Sequence, residues 1–350
     1  MFCRLLPKKM RIGAICRVDN GGLGSLTYDF WKHILEIKKE LVITITDREH
    51  EEDLTRYPKA IFCNGYPTLE QIDFFLEDID IVLIFETAYN WNIISKAREK
   101  GIKSVLMPMY EWSPYKLPTE PDLYLCPSKL DYDIFPEPKK YLPVPIDRKL
   151  FKFKQRTKAQ TFVFNNGHGG SNGRNGLEEL LEAIPLIKSD IKILIRSQLP
   201  ILEINDPRVE TRVANLKNRA DLYQEGDVFL FPHKFNGLSL PIQEALSCGM
   251  PILSTDFYPH NTYLPKKWLF KAKGFEKGQV NPASRIIDVA QLSPENIALK
   301  IDEFANKDIT EDSQKANEIA EAMSWDKLHK DYIKLFKELL EKPLKKPLKE

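Results

Sequence analysis

The chain has 350 residues, 43% of them hydrophobic, and its 51 basic and 50 acidic side chains leave a formal charge of +1. That length accommodates two domains, each able to bury its own core without disulfide or metal staples. The near-cancellation of charge argues against a strongly basic nucleic-acid binder, leaving a local basic patch as the remaining route to one.

From the N-terminus, short apolar, β-branched runs alternate with longer amphipathic stretches, the pattern of parallel sheets wrapped by helices. RIGAICRV, LVITIT, AIFCN, DIVLIFE, KSVLMP and DLYLCPS read as strands of a first series. Between the first two, Leu23, Leu26, Phe30, Ile34 and Ile37 share one face of an expected helix. The Pro-containing, then highly charged YLPVPIDRKLFKFKQRTKAQ follows, and residues 146–160 of it are read as an interdomain linker. A second series comprises TFVFNN, IKILIRS, RVETRV, DVFLFP and PILSTD, with Leu177, Leu180, Leu181, Ile184 and Ile187 at helical spacing after its first strand. After Thr310 the chain reads as helical. Ser324 is placed to cap a last helix whose apolar face is Leu328, Tyr332, Leu335, Phe336, Leu339 and Leu340.

The expected fold is therefore α/β, with two Rossmann-like, doubly wound parallel-sheet domains at 1–145 and 161–323. A helix at 324–341 and a Pro-broken basic tail at 342–350, expected to be disordered, complete the chain. Ligands of open α/β sheets bind beyond the carboxyl ends of the strands, so the loops there are where chemistry is sought. Five cysteines (Cys3, Cys16, Cys63, Cys126, Cys248) are odd in number and widely spaced, which predicts reduced thiols in a cytoplasmic protein. The start, MFCRLLPKKMRIGAIC, lacks an apolar run of signal-peptide length, and nothing later approaches ~20 uninterrupted apolar residues. The expectation is no integral membrane segment, with any membrane contact peripheral.

Three loops are candidates. In DNGGLGSLTYDF, from Asp19, glycines at 21, 22 and 24 let backbone approach a ligand at a helix start. A dinucleotide fingerprint beginning at Gly22 would need glycine where Thr27 stands. In NNGHGGSNGRNGLEEL, from Asn165, Gly167, His168 and Arg174 precede a helix and converge where a phosphate can lie. The fingerprint fails again, at Asn172, and no G-K-[ST] follows to make a Walker A loop. The third is FNGLSLPIQEALSCGMPILSTD, Phe235 to Asp256. Ser239 is placed to cap a helix that tolerates Pro241 in its first turn, and Glu244 lies a little over one turn in, able to accept from vicinal sugar hydroxyls. The alternatives are a tight strand-to-helix turn without a ligand for the first loop, a flexible loop without one for the second, and for Glu244 the role of a helix-dipole partner alone.

Glu86 and Glu111, just past strand ends, are further acids that could serve an acceptor, against the alternative of a cap or surface acid. Lys234 is a candidate phosphate contact. Asp131 and Asp133 form a D-x-D read as a solvated helix face, and His33, His50, His233, His260 and His329 show no metal spacing.

These elements resemble a retaining glycosyltransferase of the GT-B fold, family 4. FNGLSLPIQEALSCGMPILSTD is similar to that family's E-G-F-G-L-P-x-x-E-A-x-A-C-G-x-P-V-V-x-T-D element and is preceded by LYQEGDVFLFPH. DLYLCPS, YLPVPIDRKLF, GGLGSLTYDF and SWDKLHKDYIKLF resemble other segments of the family, so the likeness spans nearly the whole chain and is most specific from Asp227 to Asp256. The resemblance implies that Glu244 holds the ribose hydroxyls of a nucleotide diphosphate sugar. It implies that Gly237 and Leu238 offer backbone to the diphosphate or sugar, with Gly22 lining the donor, and that Arg174 neutralises the departing diphosphate. The family's basic pair is not intact here: His168 and Asn175 fall near its positions. Asn236 stands where the family has the first Glu of its Glu, seven residues, Glu motif, which bears on donor-sugar identity. The resemblance further implies retention of anomeric configuration, no metal, no cofactor beyond a UDP- or GDP-sugar substrate, and a last helix that crosses back to the first domain. The implied acceptor is a hydroxyl of a glycan or lipid-linked glycan, with a modified DNA base as a less usual one. A catalytically silent nucleotide- or glycan-binding relative is the alternative.

Overall fold

The computed structural model describes residues 9–45, 52–168 and 173–343. Cys3, His50, residues 169–172 of the second glycine loop and residues 344–350 of the basic tail lie outside the described residues. The chain divides into a first unit, Met1–Pro143 with Leu328–Glu350, and a second, Val144–Lys327.

The first unit is built from β1 (Ile12–Arg17), α1 (Gly22–His33), β2 (Ile37–Thr44), β3 (Ile61–Asn64), α2 (Leu69–Phe75), β4 (Ile81–Phe85), α3 (Asn92–Glu99), β5 (Lys103–Met107), β6 (Leu123–Cys126), α4 (Lys129–Ile134) and β7 (Lys139–Tyr141). Its seven strands form one parallel sheet in the order β3-β2-β1-β4-β5-β6-β7. Every residue of β1, β4, β5 and β6 is buried, as continuous apolar runs covered on both faces require. The first helix is shorter than its sequence pattern suggests. Ile34 is already extended at its C-cap, and Ile37 pairs with Ile12 as the start of β2, so strand pairing overrides the helical spacing.

The second unit contains β8 (Thr161–Gly167), α5 (Leu177–Ala183), β9 (Lys192–Ser197), β10 (Val209–Val213), β11 (Val228–Phe231), α6 (Leu240–Ser247), β12 (Ile252–Thr255) and β13 (Leu269–Phe270). An antiparallel hairpin, β14 (Gly274–Gly278) with β15 (Ile287–Gln291), and the helices α7 (Pro294–Phe304) and α8 (Thr310–Ala322) complete it. Its six-stranded parallel sheet runs β10-β9-β8-β11-β12-β13. Pro185 ends α5 early, so Ile184 and Ile187 pack from a 3-10 turn and its exit. The stretch 146–160 lies within this unit and is packed into it. Phe151 is fully buried, Ser247 Oγ donates to its carbonyl at 2.6 Å, and Arg156 donates to the Tyr223 carbonyl at 2.8 Å.

The last helix, α9 (Trp325–Glu341), belongs to the first unit from Leu328 onward. Tyr332, Phe336 and Leu339 are buried along it, and Tyr332 Oη donates to the Pro143 carbonyl at 3.0 Å while its ring meets Phe30 edge-on at 5.3 Å. Ser324 Oγ accepts from Lys327 N at 3.4 Å, the expected cap. Among the described residues no helix is long and apolar enough to cross a membrane.

In each sheet the strand order reverses at one place, between β1 and β4 in the first unit and between β8 and β11 in the second. Beyond the carboxyl ends of such a pair the flanking connections depart in opposite directions and leave a crevice.

Candidate functional site

In the second unit the loops after β8 and β11 meet at the switch point. Gly176 makes this possible: it sits at φ +71, and a Cβ there would lie 2.0 Å from the Pro232 carbonyl oxygen. Lys234 N donates to the Arg174 carbonyl at 2.8 Å, tying the two loops together, and Asn175 Nδ2 donates to the Asn166 carbonyl at 2.6 Å, folding the first of them back onto β8. Gly167 closes β8 at φ +58, and its carbonyl accepts from Gln198 N at 2.8 Å. His168 and Arg174 flank the undescribed residues of this loop.

After β11 the chain places His233, Lys234, Asn236, Gly237, Leu238 and Ser239 ahead of α6. His233 stacks on Phe231 with centroids 3.6 Å apart, and its Nδ1 faces Asn236 Nδ2 at 3.3 Å. Burial, then the nearby Arg174, holds the His233 imidazole well below its ordinary value, so it is neutral and accepts the amide proton. The amide is thereby oriented, and Asn236 Oδ1 is buried without a hydrogen-bond partner. Ser239 occupies the N-cap position of α6, as its sequence suggests, but its hydroxyl makes no cap bond; Ser239 Oγ is likewise buried and unpartnered. The capping expectation is corrected: Pro241, the second residue of α6, has no N–H to offer, and the Ser239 hydroxyl accepts from none of the helix N–H groups that remain.

Glu244 is 4% exposed, with its carboxylate held from two sides. Tyr223 Oη donates to one oxygen at 2.6 Å, and Arg219 pairs with the other while stacking over the Phe151 ring at 5.3 Å. Each carboxylate oxygen has two lone-pair directions, so one remains on each, the arrangement that two vicinal hydroxyls need. Arg219 and Tyr223 were not singled out from the sequence. The ammonium of Lys234, the candidate phosphate contact, is paired with Glu179 at 2.7 Å.

In the first unit Gly22 is the exposed first residue of α1, with open space where a Cβ would be. Gly24 is required by close approach, since a Cβ would lie 2.0 Å from the Asp19 carbonyl oxygen. Glu86 directly follows β4 in the left-handed region at φ +62. Glu111 is buried, 5% exposed, beside Asp131. The reading of Asp131 as a solvated acid is corrected, because it is 0% exposed. Its carboxyl folds back as the third residue of α4 to accept from Tyr110 N at 2.8 Å and from the capping Ser128 hydroxyl, while Asp133 remains exposed. Among the described residues no group of three or more His, Cys, Asp or Glu side chains could hold a metal.

Residues 166–269, which contain all of the second unit's candidates, match the family model of glycosyl transferases group 1. Over these residues the chain is similar to group 1 glycosyl transferases. No curated protein matches the sequence. Solved structures extend the likeness to the whole architecture. HepE of Anabaena, in complex with UDP, superposes with a TM-score of 0.65 at 11% identity, covering 94% of this chain and 100% of that one. A glycosyltransferase from Rickettsia africae ESF-5 gives 0.65 at 12%, covering 96% and 100%. Sucrose-phosphate synthase from Thermosynechococcus elongatus gives 0.61 at 13%, covering 94% and 99%. At these identities the likeness is one of fold, and that fold is GT-B: two α/β units, each with a parallel sheet.

Proposed function

We propose that the protein transfers a sugar from a UDP- or GDP-sugar to a hydroxyl acceptor with retention of configuration. The observation that carries this reading is the switch point of the second unit. It combines a pre-oriented, buried Glu244 with two buried and unpartnered polar atoms, Asn236 Oδ1 and Ser239 Oγ, ahead of α6. Buried polar groups are nearly always satisfied, so their vacancy marks a place where a ligand or water completes them.

In this reading Glu244 accepts the ribose hydroxyls and Tyr223 with Arg219 position it. Gly237 and Leu238 offer backbone to the diphosphate or the sugar, and Arg174 offers a guanidinium to the charge that grows on the leaving diphosphate. His168, Gly167 and Ser239 line the donor, and Asn236 reads a sugar hydroxyl with a neutral amide. A neutral hydrogen bond contributes ~0.5–1.5 kcal/mol against ~1.5–3 for a charged one, so Asn236 retunes sugar preference by about tenfold without abolishing transfer. The acceptor proton passes to a diphosphate oxygen on the face from which the diphosphate departs, which needs neither a dedicated protein base nor a metal. The relatives supply one concrete donor to test, since the Anabaena HepE structures contain UDP and UDP-glucose.

The test is titration with UDP and GDP, followed by assay for nucleotide release from the sugar of whichever binds. Glu244→Ala should weaken nucleotide binding at least a hundredfold, the loss of two charge-assisted hydrogen bonds; unaltered binding would sink the assignment. A second reading, a nucleotide binder that performs no transfer, is favoured by Lys234 being tied to Glu179 rather than aimed at a phosphate. Nucleotide released from any donor sugar rules it out.

A further inference from the structure

β10 is the outermost strand of the second unit's sheet, bonded to β9 on one side and, among the described residues, to no strand on the other. Ile193 N donates to the Arg208 carbonyl at 2.8 Å and Ala214 N to the Ser197 carbonyl at 3.0 Å, so the even-numbered positions turn their peptide groups toward β9. Peptide groups alternate sides along a strand, and Val209, Thr211 and Val213 therefore turn theirs outward. Val209 N is taken by the Asp206 carbonyl at 3.0 Å, while Thr211 is exposed and Val213 is 46% exposed. Sheet edges are commonly blunted by proline, by a bulge or by charge that repels a second strand. The five residues Val209, Glu210, Thr211, Arg212 and Val213 include no proline, their register with β9 is unbroken, and their two charges are opposite in sign.

We infer that β10 pairs with β10 of a second copy of this chain, antiparallel about a two-fold axis at Thr211, so that two six-stranded sheets become one continuous sheet. A two-fold axis across identical antiparallel strands passes between a residue and its own copy. Centred on Thr211, it sets Thr211 opposite Thr211, Val209 opposite Val213 and Glu210 opposite Arg212. The first two kinds of pair are those whose peptide groups point outward: Thr211 N donates to the other Thr211 carbonyl and Val213 N to the other Val209 carbonyl, once in each direction. Glu210 and Arg212 then occupy the non-hydrogen-bonded positions, where Cα atoms approach to about 4.5 Å and opposed side chains lie closest. Their side chains are 36% and 37% exposed, and Arg212 already pairs with Glu210 and Glu225 of its own copy, so pairing across the axis extends an existing network of alternating charge. The first unit's outer strand β7 has no such match, since centring it on Lys139 or Lys140 sets lysine against lysine, and like charges directly opposed are destabilising. The pairing is independent of the transferase reading.

A strand contact of five residues a side is well below the ~20–30 a side of a standard stable interface, so the dimer should be reversible. The test is sedimentation velocity on the full chain from micromolar to submillimolar concentration, where a monomer–dimer equilibrium is expected. Thr211→Pro removes an outward N–H and no bond of the copy's own ladder, and should weaken the dimer about tenfold while leaving the melting midpoint in place. Glu210→Arg and Arg212→Glu each set like charges opposite one another, and each variant alone should be monomeric at every concentration. An equimolar mixture of the two should form a heterodimer, because every opposed pair is again of opposite sign. A wild type that is monomeric throughout, a Thr211→Pro dimer of wild-type strength, a dimer of either charge variant alone, or a mixture that stays monomeric although circular dichroism shows both components folded overturns the inference.

Discussion

The two switch points answer the same topological opportunity in opposite ways. At the first, most polar groups after β1 are met by the protein: Arg17 pairs with Asp19 and donates to Tyr89 Oη, Asp19 Oδ1 accepts from Gly21 N at 2.9 Å, and Arg56 donates to the Asp19 carbonyl, leaving Arg17 Nε buried without a partner. At the second, Asn236 Oδ1 and Ser239 Oγ are buried and unpartnered. The two switch points thus differ in where their polar groups are satisfied, the first largely by the protein and the second by something it must bind. The first should therefore reveal itself chiefly in stability and the second chiefly in affinity.

The largest effect expected from this contrast is at Asp19. Asp19→Ala leaves a buried guanidinium without its carboxylate and should cost about 3–5 kcal/mol, read in urea denaturation of the first unit. Replacing both partners, Arg17→Met with Asp19→Leu, should recover most of that loss, because a buried ion pair and an apolar pair of similar volume are close in stability. Arg174→Ala in the second unit should cost less stability than Asp19→Ala and fall chiefly on nucleotide binding. A stability loss at Arg174 as large as that at Asp19 would erase the distinction.

The units should also respond oppositely to acid. Burial, with the adjacent Glu111, pushes the Asp131 carboxyl from an ordinary 3.8 up to about 7. The folded first unit then binds the extra proton between those values, so this group's contribution is full below pH 3.8 and is lost as pH rises toward 7. Burial pushes His260, which packs against Phe231 and Phe257 with both ring nitrogens unpartnered, from 6.5 down to about 3. Here the unfolded chain binds the extra proton, so stability is full above pH 6.5 and falls as pH drops below it, with His233 acting in the same sense. Each proton is worth about 1.4 kcal/mol per pH unit inside its window. Hydrogen exchange followed separately in β4–β5 and β11–β12 between pH 6.5 and 5 should show protection rising in the first and falling in the second. Asp131→Asn should flatten the first trend and His260→Met the second.

Much of this was legible in the sequence, and what was not has a common physical cause. The α/β alternation, the strand runs and the capped last helix follow from short-range pattern, and Glu244 with the 236–239 loop could be read from a contiguous motif. Arg17 meets a partner 72 residues away, and Arg219 and Tyr223 reach Glu244 across 25 and 21 residues, separations that spacing does not encode. Asp131 was misread because a D-x-D on a helix places one acid inward and one outward, and nothing local says which. Ile37 went to a strand because its partner is Ile12, on another element.

The smallest effect is the one that best separates the local reading from the tertiary one. Thr68 caps α2 in the first unit with a complete capping box: its hydroxyl accepts from Gln71 N at 3.2 Å, and Gln71 Oε1 accepts from Thr68 N at 2.9 Å. Thr68→Ala should therefore cost about 1 kcal/mol. Ser239 has the residue type and position of a cap without the bond, and removing a buried, unsatisfied hydroxyl orphans nothing. Ser239→Ala should accordingly leave the second unit unchanged or more stable by up to ~1 kcal/mol, while weakening nucleotide-sugar binding severalfold. Calorimetric midpoints of the two single variants measured together decide it. Equal losses would mean that Ser239 is an ordinary cap and that the second switch point is as self-satisfied as the first; opposite signs would mean that its hydroxyl is held in reserve for the ligand.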